Sequence, residues 1–255
     1  MRRNNRGHAE EFTHRPEATV ASVRPALPVP QHVAVILDGN RRWADLHGVP
    51  VAEAYRLGAT RVRELMVACD DARIPFATVW ALSRDNLRRG APSVRAITRA
   101  VTTELVAMAD MRRWRIRPMG TLTDLPDDTE RILREIARAT ADCSGAVLNV
   151  AVAYNGRRDI AAAASALLSD STHRLAQLDL AQLEHQLAQR LCTAGQPDID
   201  LLIRTSGEQR LSDFMLWQAA NAELYFTETL WPDFDAEHFE LALRCYGQRL
   251  RRYGE

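Results

Sequence analysis

Lysine is absent from this 255-residue sequence, so its basic side chains, histidine aside, are all arginines. We interpret this bias as codon usage in a high-GC genome, with little bearing on function. The 33 basic side chains balance 33 acidic ones, and the lack of net charge argues against a nucleic-acid partner. Internal repeats and low-complexity segments are absent too.

Cysteine is rare, and its placement excludes two common uses of the residue. The four cysteines, at positions 69, 143, 192 and 245, show no C-x-x-C spacing. We therefore expect reduced, packed thiols rather than a disulfide framework or a zinc site. No apolar run approaches the roughly 18 residues of a membrane span, and the N-terminus lacks the apolar segment of a secretory signal. These absences predict a cytoplasmic protein.

The sequence predicts an N-terminal tail followed by one α/β domain. Residues 1–29 show little apolar periodicity, so we expect a flexible tail there and a catalytic domain over 30–255. Apolar runs rich in β-branched residues alternate with segments of helical periodicity. The predicted strands are 33–37, 76–82, 115–120, 147–153 and 200–203. A first predicted helix begins at residue 41. The other predicted helices cover about 52–70, 94–108, 127–140, 157–168, 174–191 and 235–251. This alternation is typical of a mostly parallel central sheet flanked by helices.

The residues after the first predicted strand suit a phosphate group. Gly39 and Asn40 lead into a helix whose N-terminal N–H groups attract anions, and a glycine permits close backbone approach. Arg42, with Arg41 beside it, can bind phosphate oxygens bidentately. Asp38 at the strand tip is a hard oxygen ligand suited to Mg²⁺. The simpler alternative is an Asx-turn with solvated arginines.

A second loop of this kind follows the last predicted strand. Arg204, Arg210 and Ser212 offer two guanidinium groups and a hydroxyl, which suit a diphosphate. In open α/β sheets, ligands bind beyond the carboxyl ends of strands. Glu208 and Glu223 could orient an arginine or hold Mg²⁺. A structural network of salt bridges among these charged side chains is the alternative.

Ser83 and Asn86 follow the second predicted strand. They could hydrogen-bond a phosphate, or they could assist the removal of a proton from a carbon atom of a bound substrate. The alternative is a serine N-cap with an asparagine in the following turn. Because each of these motifs falls just after a strand, the sequence predicts one shared site along one edge of the sheet.

Ordered motifs along the chain resemble those of the cis-prenyltransferases, also called the undecaprenyl diphosphate synthase family. HVAVILDGNRRWA at 32–44 resembles that family's HVAxxMDGNxRWA, and IRTSGEQRLSDFMLWQ at 203–218 resembles its IRTSGExRLSxFxLWQ. Shorter matches are SRDN at 83–86, AVAYNGRRD at 151–159 and LWPDF at 230–234. The resemblance extends over residues 31–254.

The resemblance implies three groups of functional residues. The implied catalytic residues are Asp38, Ser83 and Asn86. The implied substrate-binding residues are Gly39, Asn40, Arg41, Arg42, Trp43, Tyr55, Arg89, Arg204, Arg210 and Ser212. The implied magnesium ligands are Asp38 and Glu223.

The resemblance also implies a reaction and an assembly. Family members are Mg²⁺-dependent transferases that condense isopentenyl diphosphate with an allylic diphosphate and form Z double bonds. The resemblance implies a homodimer as well, because the ending RYG at 252–254 resembles an R-x-G element that reaches the partner subunit's diphosphate. Membrane contact is expected only through a lipid product, if the product is long.

Several positions depart from the family pattern and bear on product length. Tyr55 stands where a histidine is usual, Val51 where an arginine is common, and Arg41 where a glycine is usual. These changes, together with Leu87 in place of a tryptophan, resemble the short-chain subgroup, the (2Z,6E)-farnesyl diphosphate synthases. Ala81 argues against a short product, because alanine is small and a bulky residue at that position goes with short products in the family. A short- to medium-chain product is favoured, and the length stays open.

Three alternatives accompany this interpretation. One is a long-chain, undecaprenyl-type synthase. Another is an irregular coupling or cyclising prenyl synthase of secondary metabolism, which the departures at positions 41, 51 and 55 motivate. The last is a non-catalytic subunit, whose expected signature is loss of Asp38, Arg204 or Arg210, and all three are present.

Overall fold

The computed structural model describes residues 28–170 and 178–249, except for the side chains of Arg89 and Asp170. The strands are β1 (His32–Ile36), β2 (Phe76–Ser83), β3 (Arg115–Met119), β4 (Val147–Tyr154), β5 (Leu201–Arg204) and β6 (Glu223–Phe226). The α-helices are α1 (Asn40–His47), α2 (Val51–Asp71), α3 (Ala91–Asp110), α4 (Asp127–Ala139), α5 (Gly156–Asp170), α6 (Leu180–Ala188) and α7 (Ala236–Gln248). Short 3-10 helices lie at Asp85–Arg89, Leu122–Asp124 and Trp231–Asp233.

The six strands form one parallel sheet in the order β3-β4-β2-β1-β5-β6. Every residue of β1 and of β5 is buried, as expected where both faces of a parallel sheet are covered. The prediction of an α/β domain with a mostly parallel sheet is therefore confirmed, and the described sheet is wholly parallel.

Alternate residues of β1 belong to two different cores. Val33 and Val35 pack in a large cluster with residues of α2, α3, α4 and α7. Ala34 and Ile36 pack in a smaller cluster that includes Phe214. The chain leaves β1 toward the first core through α2, and it leaves β5 toward the second core through the loop that carries Phe214. Neighbouring strands whose connections diverge in this way make a topological switch point, where ligands bind in α/β sheets.

Three features differ from the sequence-based expectations. Strand β6 was not expected, because its four half-buried residues are too few to show a β pattern. The helix expected over 174–191 begins at Leu180, where Asp179 and Gln182 form a reciprocal capping box. Residues 1–27, 171–177 and 250–255 lie outside the described part, and with them most of the predicted tail and the RYG ending.

The two longest helices, α2 and α3, have 21 and 20 residues. Both carry charged residues that interrupt their apolar stretches. Within residues 28–170 and 178–249, no helix is long and apolar enough to cross a membrane.

Candidate active site

A cleft of about 650 Å³ opens at the carboxyl edge of the sheet. Its walls come from the segments that follow β1, β2, β4 and β5, together with the start of α2. The predicted site residues that line it are Asp38, Gly39, Asn40, Arg41, Arg42, Tyr55, Ser83, Asn86, Arg204, Arg210 and Ser212. The sequence placed these residues after three separate strands or in a helix, and the fold gathers most of the predicted residues into one site.

The centre of the cleft is an ion pair across the switch point. Arg204 Nη2 donates to Asp38 Oδ2 at 2.8 Å. The Arg204 side chain is only 5% exposed, whereas that of Asp38 is 36% exposed. Arg204 Nη1 also donates to Ser212 Oγ at 2.8 Å and to the carbonyl oxygen of Arg210. One buried guanidinium therefore fixes the loops after β1 and β5 relative to each other.

The side chain of Thr205 hydrogen-bonds to the backbone of Asp38. Its Oγ1 accepts from the Asp38 N–H at 2.9 Å and lies 2.7 Å from the Asp38 carbonyl oxygen. Thr205 is fully buried. This positioning residue was not predicted, because a threonine at a strand end gives no chemical signal by itself.

Helix α1 presents its N-terminus to the cleft. Gly39, its N-cap residue, has a φ of 107° and provides no side-chain cap, and its N–H donates to Asp38 Oδ1 at 2.8 Å. The first N–H groups of a helix lack intrahelical acceptors, and they attract anions. A Cβ on Gly39 would lie 2.9 Å from the side chain of Leu230. Glycine is therefore required both by backbone conformation and by space.

Arg42 links α1 to the loop after β5. Its Nη2 donates to Ser206 Oγ at 2.6 Å and to the Ser206 carbonyl oxygen at 3.0 Å. Ser206 has a φ of 78°, in the left-handed region that costs a non-glycine residue energy. Ser212, Asp213 and Met215 also have positive φ. Such backbone strain concentrates at functional sites, where the surrounding structure enforces it.

The cleft is positively charged overall. Five arginines and three carboxylates line it, which leaves a net charge of +2. Arg210 pairs with Glu208 and remains largely exposed, so it can turn toward a ligand. Part of the expected salt-bridge network is therefore present, but it coexists with a surplus of positive charge suited to an anion.

Four cleft side chains keep a buried polar atom without a hydrogen-bond partner. These atoms are Asn40 Oδ1, Tyr55 OH, Trp80 Nε1 and Arg204 Nε. Buried polar atoms are ordinarily paired, and an unpaired one calls for a specific explanation. The two N–H donors among them suit a bound anion.

Ser83 and Asn86 line the same cleft through a local turn. Ser83 Oγ accepts from the Asn86 N–H at 3.1 Å, although Arg84 rather than Ser83 is the N-cap residue of the 3-10 helix that follows. The contact leaves the Ser83 hydroxyl proton and the Asn86 amide available to a ligand. Nearby, burial raises the pKa of Tyr154 well above its ordinary value, so this cleft residue stays neutral.

Trp43 and Glu223 are not among the residues that line the cleft. Trp43 Nε1 donates to Asp233 Oδ1 at 2.7 Å, and its ring stacks on His47. The Arg89 side chain lies outside the described part of the structure. The prediction that Trp43 contacts substrate stays a prediction.

Glu223 lies at the far end of β6. In the parallel register, Glu223 is level with Leu201, whereas Phe226 is level with Arg204. Glu223 is thus about 10 Å back along the sheet from the carboxyl edge, and its carboxylate pairs with Arg249 at 2.6 Å. Within one chain, the structure does not bring Glu223 to Asp38, and its role as a magnesium ligand stays a prediction.

Asp38 alone among the predicted metal ligands lies in the cleft. Among the described residues, no three His, Cys, Asp or Glu side chains lie close enough to hold a metal ion. Asp38 accepts two hydrogen bonds, and a carboxylate has about four lone-pair sites. Mg²⁺ commonly uses one or two carboxylates together with substrate phosphates and waters. One part-exposed carboxylate in a cleft suited to phosphate groups therefore fits magnesium.

An apolar pocket of about 60 Å³ continues inward from the cleft. The two share Leu37, Asn40, Tyr55, Ala81 and Ile97, and the pocket runs between the sheet and helices α2 and α3. A ligand with a charged head in the cleft could thus bury an apolar tail in the protein.

Asp213 has a structural role. It stands where the family pattern usually has an asparagine. Its Oδ1 accepts from the Arg157 N–H at 3.0 Å and its carbonyl oxygen accepts from the Gly156 N–H at 2.8 Å. A carboxylate at the start of α5 is favourable to the helix dipole. Trp80 and Asn155 also line the cleft without having been predicted.

Comparison with known proteins decides the family. The sequence profile of the undecaprenyl diphosphate synthase family matches residues 36–254. The chain belongs to this family, the cis-prenyltransferases. A (2Z,6E)-farnesyl diphosphate synthase of Thermobifida fusca is 43% identical over 231 residues, which cover 89% of this chain and 91% of that protein.

Two solved structures of cis-prenyltransferases share the fold. The lavandulyl diphosphate synthase of Lavandula x intermedia, in complex with dimethylallyl diphosphate, has a TM-score of 0.83 and 33% identity, with 89% of this chain and 99% of that chain covered. A probable undecaprenyl diphosphate synthase of Campylobacter jejuni has a TM-score of 0.73 and 26% identity, with 90% and 100% covered. The predictions of family, fold and enzyme class are therefore confirmed.

Proposed function

We propose that this cis-prenyltransferase condenses isopentenyl diphosphate with an allylic diphosphate, forms a Z double bond and releases a short- to medium-chain prenyl diphosphate. The observation that carries the proposal is the ion pair between part-exposed Asp38 and buried Arg204 at the switch point. It lies between a helix N-terminus with Arg42 on one side and the loop of Arg210 and Ser212 on the other. The cleft therefore offers two adjacent places for diphosphates.

The allylic diphosphate would bind at the N-terminus of α1. The unpaired N–H groups there and the guanidinium of Arg42 suit its phosphate oxygens. Its hydrocarbon tail would enter the apolar pocket past Tyr55 and Ala81. Burial of apolar surface contributes about 25 cal/mol per Å² to such binding.

Isopentenyl diphosphate would bind to Arg204, Arg210 and Ser212. Arg210 is exposed and pairs with Glu208, so it can exchange that carboxylate for a phosphate. The pairing of Arg204 with Asp38 fixes this site beside the allylic one. Holding two reactants at attack distance removes much of the entropic barrier of a bimolecular reaction.

In the reaction, the bond between the allylic carbon and the diphosphate oxygen breaks, and the diphosphate leaves with the electron pair. The alkene of isopentenyl diphosphate supplies the two electrons of the new carbon–carbon bond. A proton then leaves the adjacent carbon, and its electron pair becomes the new double bond. We assign the proton to a diphosphate oxygen, because the hydroxyl of Ser83 and the amide of Asn86 are weak bases. These two side chains would orient the reacting groups.

Asp38 is the residue that would hold magnesium, together with oxygens of the substrate. When bound, the ion would neutralise charge on the departing diphosphate. Arg204 holds the side chain of Asp38 in place at the cleft, and Thr205 fixes its backbone. A preorganised charge of this kind stabilises the transition state without reorganisation.

The short-chain assignment has two supports. The Thermobifida fusca relative bears the name of a short-chain enzyme, and the apolar pocket is small. We further propose a cytoplasmic homodimer, on the basis of the family resemblance.

Irregular coupling of two allylic diphosphates is the second candidate. It is favoured by the similarity to the lavandulyl diphosphate synthase, whose structure holds dimethylallyl diphosphate. Of the departures at positions 41, 51 and 55, Arg41 and Tyr55 line the cleft.

The test is incubation of purified protein with Mg²⁺, labelled isopentenyl diphosphate and, separately, dimethylallyl, geranyl or farnesyl diphosphate. Dephosphorylated products are resolved by mass and double-bond geometry. We expect one or a few Z additions. A long ladder of Z units would replace the short-chain assignment with the long-chain one, and branched or cyclic products would favour irregular coupling. No incorporation with any starter would overturn the proposed function.

A further inference from the structure

Glu104 on α3 stands between the apolar pocket and the protein surface. It lines the inner pocket of about 60 Å³ and also an outer groove of about 1650 Å³ that runs along α3. Ala100, one helical turn earlier, is the other residue that the two share. The cleft, the pocket and the groove thus follow one another, and Glu104 separates the last two.

An ion pair across two helices holds Glu104 in place. Arg63 Nε on α2 lies 3.2 Å from Glu104 Oε1, and Thr60 Oγ1 lies 3.5 Å from Oε2. The Glu104 side chain is only 14% exposed, and Oε1 is buried without an aligned hydrogen bond. A carboxylate at this depth is unfavourable unless it is paired, so its position depends on Arg63.

The size of the pocket limits what it can hold. A cavity of roughly 150 Å³ is needed to bind a six-carbon ring such as benzene. The pocket, at about 60 Å³, has less than half of that volume, so it leaves little room beyond the cleft for each added isoprene unit. A growing chain that passes Tyr55 and Ala81 would therefore soon reach the carboxylate of Glu104. Replacing the partner or the water around a carboxylate with hydrocarbon costs free energy.

We infer that Glu104, held by Arg63, closes the inner end of the hydrocarbon pocket and thereby limits the length of the product. This inference rests on the proposed function, because it assumes that a prenyl chain enters the pocket. It also accounts for a short product despite the small Ala81, since the obstruction lies deeper, on α3. Removing the carboxylate would join the pocket to the groove.

The test compares product lengths from the wild type and Glu104→Ala, with labelled isopentenyl diphosphate, Mg²⁺ and each allylic starter. We expect the ratio of the next longer product to the wild-type product to rise about tenfold or more, because contacts around a hydrocarbon pocket discriminate by such factors. Arg63→Ala, which frees Glu104, should shift the ratio in the same direction by less. Val106→Ala is the matched control, since Val106 lies on α3 and is exposed to solvent.

The outcomes separate this inference from the proposed function. If the wild type incorporates no label with any starter, the proposed function fails and the inference with it. If the wild type is active, and if the Glu104→Ala variant folds and still gives the wild-type product distribution, the inference alone is overturned. Should Glu104→Ala not fold, Arg63→Ala decides. It removes the ion pair that holds Glu104 in place, and an unchanged distribution would again overturn the inference.

Discussion

Arg204 Nη2 lies 2.8 Å from Asp38 Oδ2, and this contact joins the last residue of β5 to the loop after β1. The same guanidinium bonds Ser212 Oγ and the carbonyl oxygen of Arg210. A single buried cation therefore organises both halves of the cleft. Among the described residues, its buried Nε has no hydrogen-bond partner.

Arg42 provides a test of the allylic half of the cleft. Arg42→Ala should raise the KM for the allylic diphosphate about tenfold or more, because a hydrogen bond to a charged group contributes roughly 1.5–3 kcal/mol. The KM for isopentenyl diphosphate should change less. Steady-state kinetics with each substrate varied in turn measures both. Arg88→Ala is the control, since Arg88 is exposed and does not line the cleft; equal effects from the two variants would contradict the assignment.

Gly39 should not tolerate a side chain. A Cβ there would meet Leu230 at 2.9 Å, and the φ of 107° is unfavourable for alanine. We expect Gly39→Ala to lower the free energy of unfolding by roughly 1–3 kcal/mol and to displace the start of α1, with loss of activity. Gly48→Ala is the matched control, because Gly48 also has a positive φ but no atom within 4 Å of its Cβ position. Equal losses, measured by chemical denaturation, would show that space at Gly39 does not matter.

His32 should make stability depend on pH. Its Nδ1 lies 2.8 Å from the Pro197 carbonyl oxygen, which only accepts, so Nδ1 carries the proton and Nε2 accepts from Thr78 Oγ1 at 2.7 Å. Burial lowers the pKa of His32 below its ordinary value of 6.5, although the Pro197 contact and Asp200 oppose this shift. The unfolded chain therefore binds this proton more readily than the folded protein does.

The sign of the effect follows from that difference. The contribution of His32 is fully present above pH 6.5 and is lost as the pH falls below it toward the lowered folded pKa, by up to about 1.4 kcal/mol per pH unit. Denaturation between pH 5 and 8 should show a shallower slope for His32→Asn than for the wild type. His47→Gln, at an exposed site, should keep the wild-type slope. A wild-type slope in His32→Asn would exclude His32 as the cause.

Much of the fold could be predicted, because its signals are local. The buried runs of β1, β4 and β5 are rich in β-branched and apolar residues, and α2 and α3 show clear helical spacing. Strand β6 could not be predicted, since Glu223–Phe226 is short and only half-buried. Its place is set by pairing with β5, which is a tertiary effect.

One rule about parallel sheets was enough to predict part of the site. Residues after parallel strands meet at one edge, and this rule brings Asp38, Ser83 and Arg204 together. It fails for Glu223, which begins a strand that the sequence did not reveal. It also says nothing of Thr205 or Glu104, whose importance lies in what they contact after folding.

The most direct test of the account is turnover by Asp38→Asn. Asparagine preserves the shape of the side chain and can accept a hydrogen bond from Arg204, so the protein should fold, while the charge that would hold magnesium is lost. We predict that incorporation of labelled isopentenyl diphosphate falls by about 10²-fold or more at saturating Mg²⁺, with the wild-type circular dichroism spectrum retained. Wild-type turnover in this variant would remove Asp38 from the mechanism and contradict the account.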